Sequence, residues 1–197
     1  MFVSFEGVDR SGKSTQVERL AAALRADGRE VVVTREPGGT ELGELVRELV
    51  LKGPPMTPFA EAALFAASRA EHVAEVIAPA LEGGAVVVCD RFVDSSLAYQ
   101  GIARGLGVEE VLELNLHATR GLLPDLTVLL LVDPDEAAGR AGAPDRLERE
   151  GRGLQARVAE AYAELAELYP ERIVAFDGTL APADLAEEIR HAVLSRR

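Results

Sequence analysis

Short apolar runs alternate with longer stretches of helical periodicity along the whole chain. The runs are Phe2–Phe5, Glu30–Thr34, Ala85–Cys89, Leu126–Val132 and Arg172–Phe176. Most are β-branched and nearly continuous, the pattern of strands covered on both faces of a parallel sheet. Between them, Leu154, Val158, Ala161, Tyr162 and Leu165 step by three or four and mark one apolar helix face. Another helix is expected from Lys13 to Ala26. Asp133-Pro134 and Thr57-Pro58 each read as an N-cap followed by proline at the first helical position. The alternation predicts a three-layer α/β fold with right-handed crossovers. Ligands in such sheets bind beyond the carboxyl ends of the strands, so residues just after each run carry most weight.

Composition narrows the class. At 197 residues the chain suits one domain, read here as 1–197, with ample core and no need of a staple. Cys89 is the single cysteine, which excludes an internal disulfide and a multi-cysteine zinc site. A formal charge of −12 and a pI near 4.8 argue against a nucleic-acid polymer or an anionic membrane as partner. The run Leu126–Val132 is far short of the ~20 residues that span a bilayer. The start, MFVSFEGVDR, has neither a basic n-region nor a long apolar stretch, so no signal peptide is expected. A cytoplasmic, reducing-compartment protein is the expectation.

The strongest chemical signal begins where the first run stops. Gly7-Val8-Asp9-Arg10-Ser11-Gly12-Lys13-Ser14-Thr15 fits G-x-x-x-x-G-K-[ST] between a strand and a helix. The glycines let successive backbone N–H groups curl around one anion, and the helix N-terminus adds positive potential. Lys13 would reach the β- and γ-phosphates, and the Ser14 hydroxyl would coordinate Mg²⁺. Lysine occurs only at positions 13 and 52, and one of the two fills this slot. A GTPase switch would need Asn-Lys-x-Asp for guanine, but the only asparagine, Asn115, precedes Leu116. A large motor would need more chain. A small transferase moving the γ-phosphoryl of ATP remains.

Three further elements lie at strand ends or on a helix. Asp90-Arg91 follows the third run, where an acidic residue suits the magnesium shell and an arginine can grip an acceptor phosphate. Taken alone the pair reads equally as a surface salt bridge. Arg35-Glu36-Pro37-Gly38-Gly39-Thr40 follows the second run, either a binding turn or simply a βα loop. Phe65 and Arg69 are four apart and share a helix face, so a ring and a guanidinium could stack on and read a base. Alone, Phe65 reads as core. His72, His117 and His191 match no triad or metal spacing, and Glu109-Glu110 and Glu187-Glu188 read as solvated faces.

Together these motifs resemble the thymidylate kinases, of the P-loop nucleoside monophosphate kinase group. The likeness runs in order through Phe5-Glu-Gly-Val-Asp, Arg35-Glu-Pro-Gly-Gly-Thr, Leu64-Phe-Ala-Ala-Ser-Arg, Asp90-Arg-Phe with Ser95-Ser-Leu-Ala-Tyr-Gln-Gly, Pro124-Asp-Leu-Thr and Asp145-Arg-Leu-Glu. It implies a P-loop NTPase fold with a five-stranded parallel sheet, a mobile lid near 139–153, and a homodimer. The implied reaction transfers the ATP γ-phosphoryl to dTMP with Mg²⁺. Phe65 would stack on thymine, Arg69 and Gln100 would hydrogen-bond it, and Ser96 would lie beside it. Tyr99 would stand where a ribose 2′-hydroxyl projects. Arg91, Arg35 and Arg47 would gather at the acceptor phosphate, and Asp9 would lie between donor and acceptor. Gly7 to Thr15 would hold ATP with Arg140 from the lid, Ser14 and Asp90 the metal. One branch of the family carries an arginine in the cradle and the other supplies arginines from the lid. This chain has both, with Arg10 in the cradle and Arg140, Arg146, Arg149 and Arg152 near the lid.

Two other classes compete with that reading. A deoxynucleoside kinase would phosphorylate a hydroxyl, and so many arginines near an uncharged acceptor would be unneeded. A catalytically silent nucleotide binder would not keep every catalytic position filled. The acidic excess is expected on outer helices such as Ala156–Glu167 and Leu185–Glu188, away from two anionic substrates.

Overall fold

The computed structural model describes residues 1–139, 146–147 and 151–196. Most of the expected lid, with Arg140, Asp145 and Arg149, lies outside them. Among the described residues the strands β1 (Phe2–Glu6), β2 (Val31–Arg35), β3 (Val86–Asp90), β4 (Leu126–Leu131) and β5 (Ile173–Asp177) form one sheet in the order β2-β3-β1-β4-β5. Every neighbouring pair is parallel. The three-layer α/β architecture and the five-stranded sheet are as expected.

The strand ends differ instructively from the apolar runs. β1, β2, β3 and β5 each continue one residue further, onto Glu6, Arg35, Asp90 and Asp177. The ladder is a backbone interaction and does not stop where side chains turn polar: Phe5 and Arg35 both pair with Asp90. Each added residue projects at the carboxyl edge of the sheet, where ligands bind in such folds. β4 is the exception and stops at Leu131, one short of its run.

Helix α1 (Lys13–Ala26) follows β1 with the bounds its periodicity predicts. α2 (Glu41–Lys52) and α3 (Pro58–His72) follow β2, and the Thr57 hydroxyl caps α3 by accepting from the Ala60 N–H. α3 runs through a π-helical turn (Val73–Ile77) into α4 (Ala78–Glu82). After β3 the short α5 (Val93–Ser96) continues as a π-helical segment (Leu97–Ala103), and α6 (Val108–Thr119) leads to β4. Asp133 caps α7 (Pro134–Ala138), and α8 (Arg152–Leu168) and α9 (Pro182–Leu194) complete the fold. Arg152 and Gly153, counted with the lid on sequence grounds, form the first turn of α8.

The sheet divides the core in two. On one face Val3, Phe5, Val88 and Val128 pack against Val17, Leu20 and Leu24 of α1 and Leu185 and Ile189 of α9. On the other, Phe2, Val87, Cys89 and Leu129 meet Phe92, Leu97, Val158, Tyr162 and Leu165. Cys89 is fully buried, as its place at the end of an apolar run suggests. The second face also buries carboxylates, and that is where the fold departs from the view that the acidic excess lies outside.

Candidate active site

The β1–α1 loop curls as its glycines dictate. Gly7 sits at φ 138° and Gly12 at φ 99°. A Cβ at Gly7 would lie 2.6 Å from the Leu130 carbonyl oxygen, so only glycine fits there. Lys13 opens α1 and its Nζ spans the loop, donating to the Val8 carbonyl at 2.8 Å and the Gly7 carbonyl at 3.2 Å. Burial, and then the nearby Arg91 guanidinium, lower its ammonium to about 8. The N-terminal N–H groups of α1 open into the same loop, a ready anion site. Val8 and Ser11 are buried while Ser14 and Thr15 are exposed.

Across the sheet, Ser14 Oγ donates to Asp90 Oδ2 at 2.8 Å. Arg91 takes a left-handed φ of 70°, which turns its side chain back over β1. Its Nη2 pairs with Asp9 Oδ1, and its Nη1 donates to Ser95 Oγ and Tyr162 Oη, each at 3.1 Å. Asp9 Oδ2 accepts from Tyr99 Oη at 3.1 Å and from Gln155 Nε2 at 3.3 Å. Burial alone would raise the Asp9 carboxyl, but Arg91, then Lys13 and the Tyr99 hydroxyl, hold it below its ordinary value. An ionised Asp9 and a fixed Arg91 therefore stand between the loop and the space beyond it.

That space is a partly open cavity. Its walls include Phe65 of α3, Ser96, Tyr99 and Gln100 of the helix after β3, Arg47 and Leu51 of α2, and Leu147. The structure thus gathers Asp9, Arg47, Phe65, Arg91, Ser96, Tyr99 and Gln100 around one volume. Arg35 is placed elsewhere: its Nη2 pairs with Glu44 at 2.9 Å in an outer groove shared with Ser14 and Asp90. Arg69 stands behind the cavity wall, 1% exposed. Its Nε donates to Glu36 at 2.7 Å, its Nη1 to Ser96 at 3.1 Å and to Asn115, and its Nη2 to the Phe92 carbonyl at 3.0 Å. Four of its five N–H groups are thus engaged within the protein. Arg10, at φ 64°, lines a second cavity between the loop and the first turn of α8, with Asp135, Arg152 and Gln155.

A family model described as "Thymidylate kinase" matches residues 5–189. The thymidylate kinase of Synechococcus sp. (strain JA-2-3B'a(2-13)) is 48% identical over 196 residues, covering 100% of this chain and 95% of its own. That of Bifidobacterium longum (strain DJO10A) is 53% identical over 185 residues, covering 91% and 90%. A crystal structure of thymidylate kinase from Ehrlichia chaffeensis superposes with a TM-score of 0.80 at 33% identity over 98% of both chains. The chain belongs to the thymidylate kinase family.

In this family member several supporting residues escape a sequence reading. Glu6, the buried last residue of β1, accepts from the Phe92 and Ser95 N–H groups at 2.8 and 3.2 Å. Its Oε2 accepts from Ser95 Oγ at 2.6 Å and Tyr162 Oη at 2.8 Å. Both hydroxyl hydrogens point to Glu6, so their lone pairs face Arg91. Burial, then the neighbouring Asp94, push Glu6 up to about 7. Glu36 lines the cavity while holding Arg69 and His72. The oxygen donors of Ser14 and Asp90 fit a hard cation such as Mg²⁺. Among the described residues no three His, Cys, Asp or Glu side chains converge on a metal site. A magnesium ion held here would take its other oxygens from nucleotide phosphates and water, as Mg²⁺ commonly does.

Proposed function

We propose that this kinase transfers the γ-phosphoryl group of ATP to dTMP, giving dTDP and ADP, with the roles of its residues as follows. The observation that carries the reading is the Asp9–Arg91 pair, set between a phosphate-binding loop and a cavity walled by Phe65, Tyr99 and Gln100. Loop N–H groups and Lys13 hold the donor phosphates, and Arg91 with Arg47 holds the acceptor phosphate. An oxygen of the dTMP phosphate bonds to the γ-phosphorus while the bond to the β–γ bridging oxygen breaks. The phosphate oxygen is already anionic, so no general base is required. Catalysis then rests on alignment and on cations offsetting repulsion between two anions. Bound Mg²⁺, held by Ser14 and Asp90, would neutralise charge on the β- and γ-phosphates.

Phe65 supplies a ring for the base, and Tyr99, tied to Asp9, crowds the sugar where a 2′-hydroxyl would project. Arg69 braces the base site through Ser96 and the Phe92 carbonyl. A coupled ADP-release assay across dTMP, dUMP, dCMP and thymidine tests the reading. Release with dTMP and none with thymidine is expected. Equal turnover of thymidine would make this a hydroxyl-directed kinase, and no release with any acceptor would make it a silent nucleotide binder.

We further propose a homodimer. Leu42, Leu45 and Leu49 form an exposed apolar stripe on α2, with Leu45 65% exposed, which supports a helix-packed interface. Among the described residues no helix is long and apolar enough to cross a membrane. A single buried cysteine supports a cytoplasmic, reducing setting.

A further inference from the structure

Glu61 lies on α3, 1% exposed, and one carboxylate there gathers three side chains from distant parts of the fold. Its Oε1 accepts from Arg104 Nε at 2.6 Å and from Gln100 Nε2 at 2.8 Å. Its Oε2 accepts from Arg104 Nη2 at 3.0 Å and pairs with Arg146 Nη2. Two guanidiniums and an amide thus converge on a single acid, and facing donors on both oxygens Glu61 serves as an acceptor only.

That fact orients Gln100. A primary amide can present either its NH₂ or its oxygen to a neighbour, but an acceptor-only carboxylate admits the NH₂ alone. Gln100 Nε2 is therefore committed to Glu61. Its Oε1 takes no hydrogen bond from the described residues, and the side chain lines the acceptor cavity. What the cavity is offered at this point is an oxygen acceptor.

We propose that Glu61 sets the pyrimidine preference of the site by locking the Gln100 amide with Oε1 toward the base. The proposal rests on dTMP being the acceptor. In thymine the two exocyclic oxygens are acceptors and N1 carries the sugar, so N3–H is the one N–H that Oε1 can take. Cytosine in the same pose presents a bare N3 lone pair to Oε1, an unpaired and repulsive contact. A site built to bond a substrate N–H rejects the analogue that lacks it far more strongly than an apolar pocket could. Glu61 touches no substrate in this scheme and is a positioning residue.

The test compares kcat/KM for dTMP and dCMP in the native enzyme and in Glu61→Gln. A neutral amide at 61 can face Gln100 with either group, so the lock is lost. The native preference for dTMP, expected to be on the order of 10²-fold or more, should fall by at least about tenfold. A role in folding alone would lower both nucleotides together and leave the ratio unchanged, which overturns the proposal. Glu61→Asp, which remains acceptor-only, should keep most of the preference; loss of preference in Glu61→Asp to the same degree as in Glu61→Gln counts against it. A second measurement needs no variant: N3-methyl-dTMP should compete with dTMP at least about 100-fold more weakly than dUMP does. Equal competition would show that Oε1 meets no N3–H. Failure of dTMP to serve as acceptor at all would instead remove the underlying reading.

Discussion

Ser14 Oγ donates to Asp90 Oδ2 at 2.8 Å, joining the first turn of α1 to the last residue of β3. One partner comes from the phosphate loop and the other from the neighbouring strand, 76 residues later. The contact holds a hydroxyl and a carboxylate side by side, both hard oxygen donors, at the edge of the phosphate site. If they share a magnesium shell, Asp90→Asn should shift the activating Mg²⁺ concentration upward by roughly tenfold, the scale at which a lost supporting ligand acts. dTMP affinity in the absence of metal should stay put. A magnesium titration of ADP release in both proteins reads this out, and superimposable curves would remove Asp90 from the metal shell.

The Lys13 ammonium, lowered to about 8 chiefly by burial and then by Arg91, should recover its proton when a triphosphate arrives. Near pH 8 the free protein then holds about half a proton at this site and the complex holds nearly a full one. ATP binding should therefore take up about half a proton. It should also weaken as the pH rises through 8, because protonation must then accompany binding. Calorimetry in two buffers of different ionisation enthalpy measures the uptake directly. Lys13→Met should abolish it, and should nearly abolish phosphoryl transfer while sparing dTMP binding. Equal heats in both buffers for the native protein would contradict the Lys13 assignment.

Much of this site was legible in the sequence because its chemistry is local. The loop from Gly7 to Thr15, the strand-end pair Asp90-Arg91 and the helical pair Phe65 and Arg69 each announce themselves within a few residues. The buried acids do not. Glu6, Glu36, Glu61 and Asp94 look like surface residues in a chain this acidic, and their partners are far away. Arg69 lies 33 residues from Glu36, Arg172 78 from Asp94, and Arg146 85 from Glu61. Only the completed fold brings those charges together. Gln155 is a similar case, meeting Asp9 across 146 residues. Arg35 is the converse case: its position after a strand suggested the acceptor phosphate, and its side chain pairs with Glu44 of α2 in the outer groove with Ser14 and Asp90.

Glu6 gives the fold a pH dependence of definite sign. Burial and then Asp94 raise its carboxyl from an ordinary 4.5 to about 7. Between those values the native state binds more protons than the unfolded chain. Its stabilising contribution is therefore complete below about pH 4.5 and is lost as the pH rises through 7. The loss is on the order of 3 kcal/mol. Glu6→Gln cannot titrate, so the native enzyme's advantage in Tm over this variant should shrink steadily between roughly pH 5 and pH 8. A gap that is constant or widens with pH would show that Glu6 is already ionised in the folded protein.

The apolar stripe Leu42, Leu45 and Leu49 should be covered in solution. The native protein is expected to sediment as a dimer at micromolar concentration, and Leu45→Glu, placing a charge at the most exposed of the three, should shift it toward 21.0 kDa monomers. Sedimentation equilibrium on both proteins decides the matter. A native protein that runs only as monomer would leave α2 without the partner proposed for it.

Which arginine neutralises the transferring phosphoryl group is the sharpest remaining question, and the structure changes its terms. Arg146 does not face the donor side. Its Nε donates to the Val50 carbonyl at 2.7 Å and its Nη2 pairs with Glu61, next to Leu51, Gln100 and Leu147 of the acceptor-cavity wall. Arg146→Ala should therefore raise the dTMP KM more than it lowers kcat. Arg10 sits in the loop itself at φ 64°, a conformation that glycine adopts at less cost, so Arg10→Gly removes a charge without straining the cradle. Its guanidinium reaches toward α7, with Nη1 3.5 Å from the Ala138 carbonyl, beside the cavity shared by the loop and the first turn of α8. Fixed to the loop by its own backbone, Arg10 needs no lid closure to act. Losing one preorganised donor to a developing charge typically costs about 10²–10³ in rate. We therefore expect Arg10→Gly to lower kcat by roughly 10²-fold while the ATP KM moves by only a few-fold, since the loop N–H groups and Lys13 still hold the ground state. Arg140→Ala should fall well short of that loss. Steady-state kinetics on the three variants separate the roles: if Arg10→Gly keeps nearly native kcat while Arg140→Ala collapses, the charge at the transition state comes from the lid and not from the cradle.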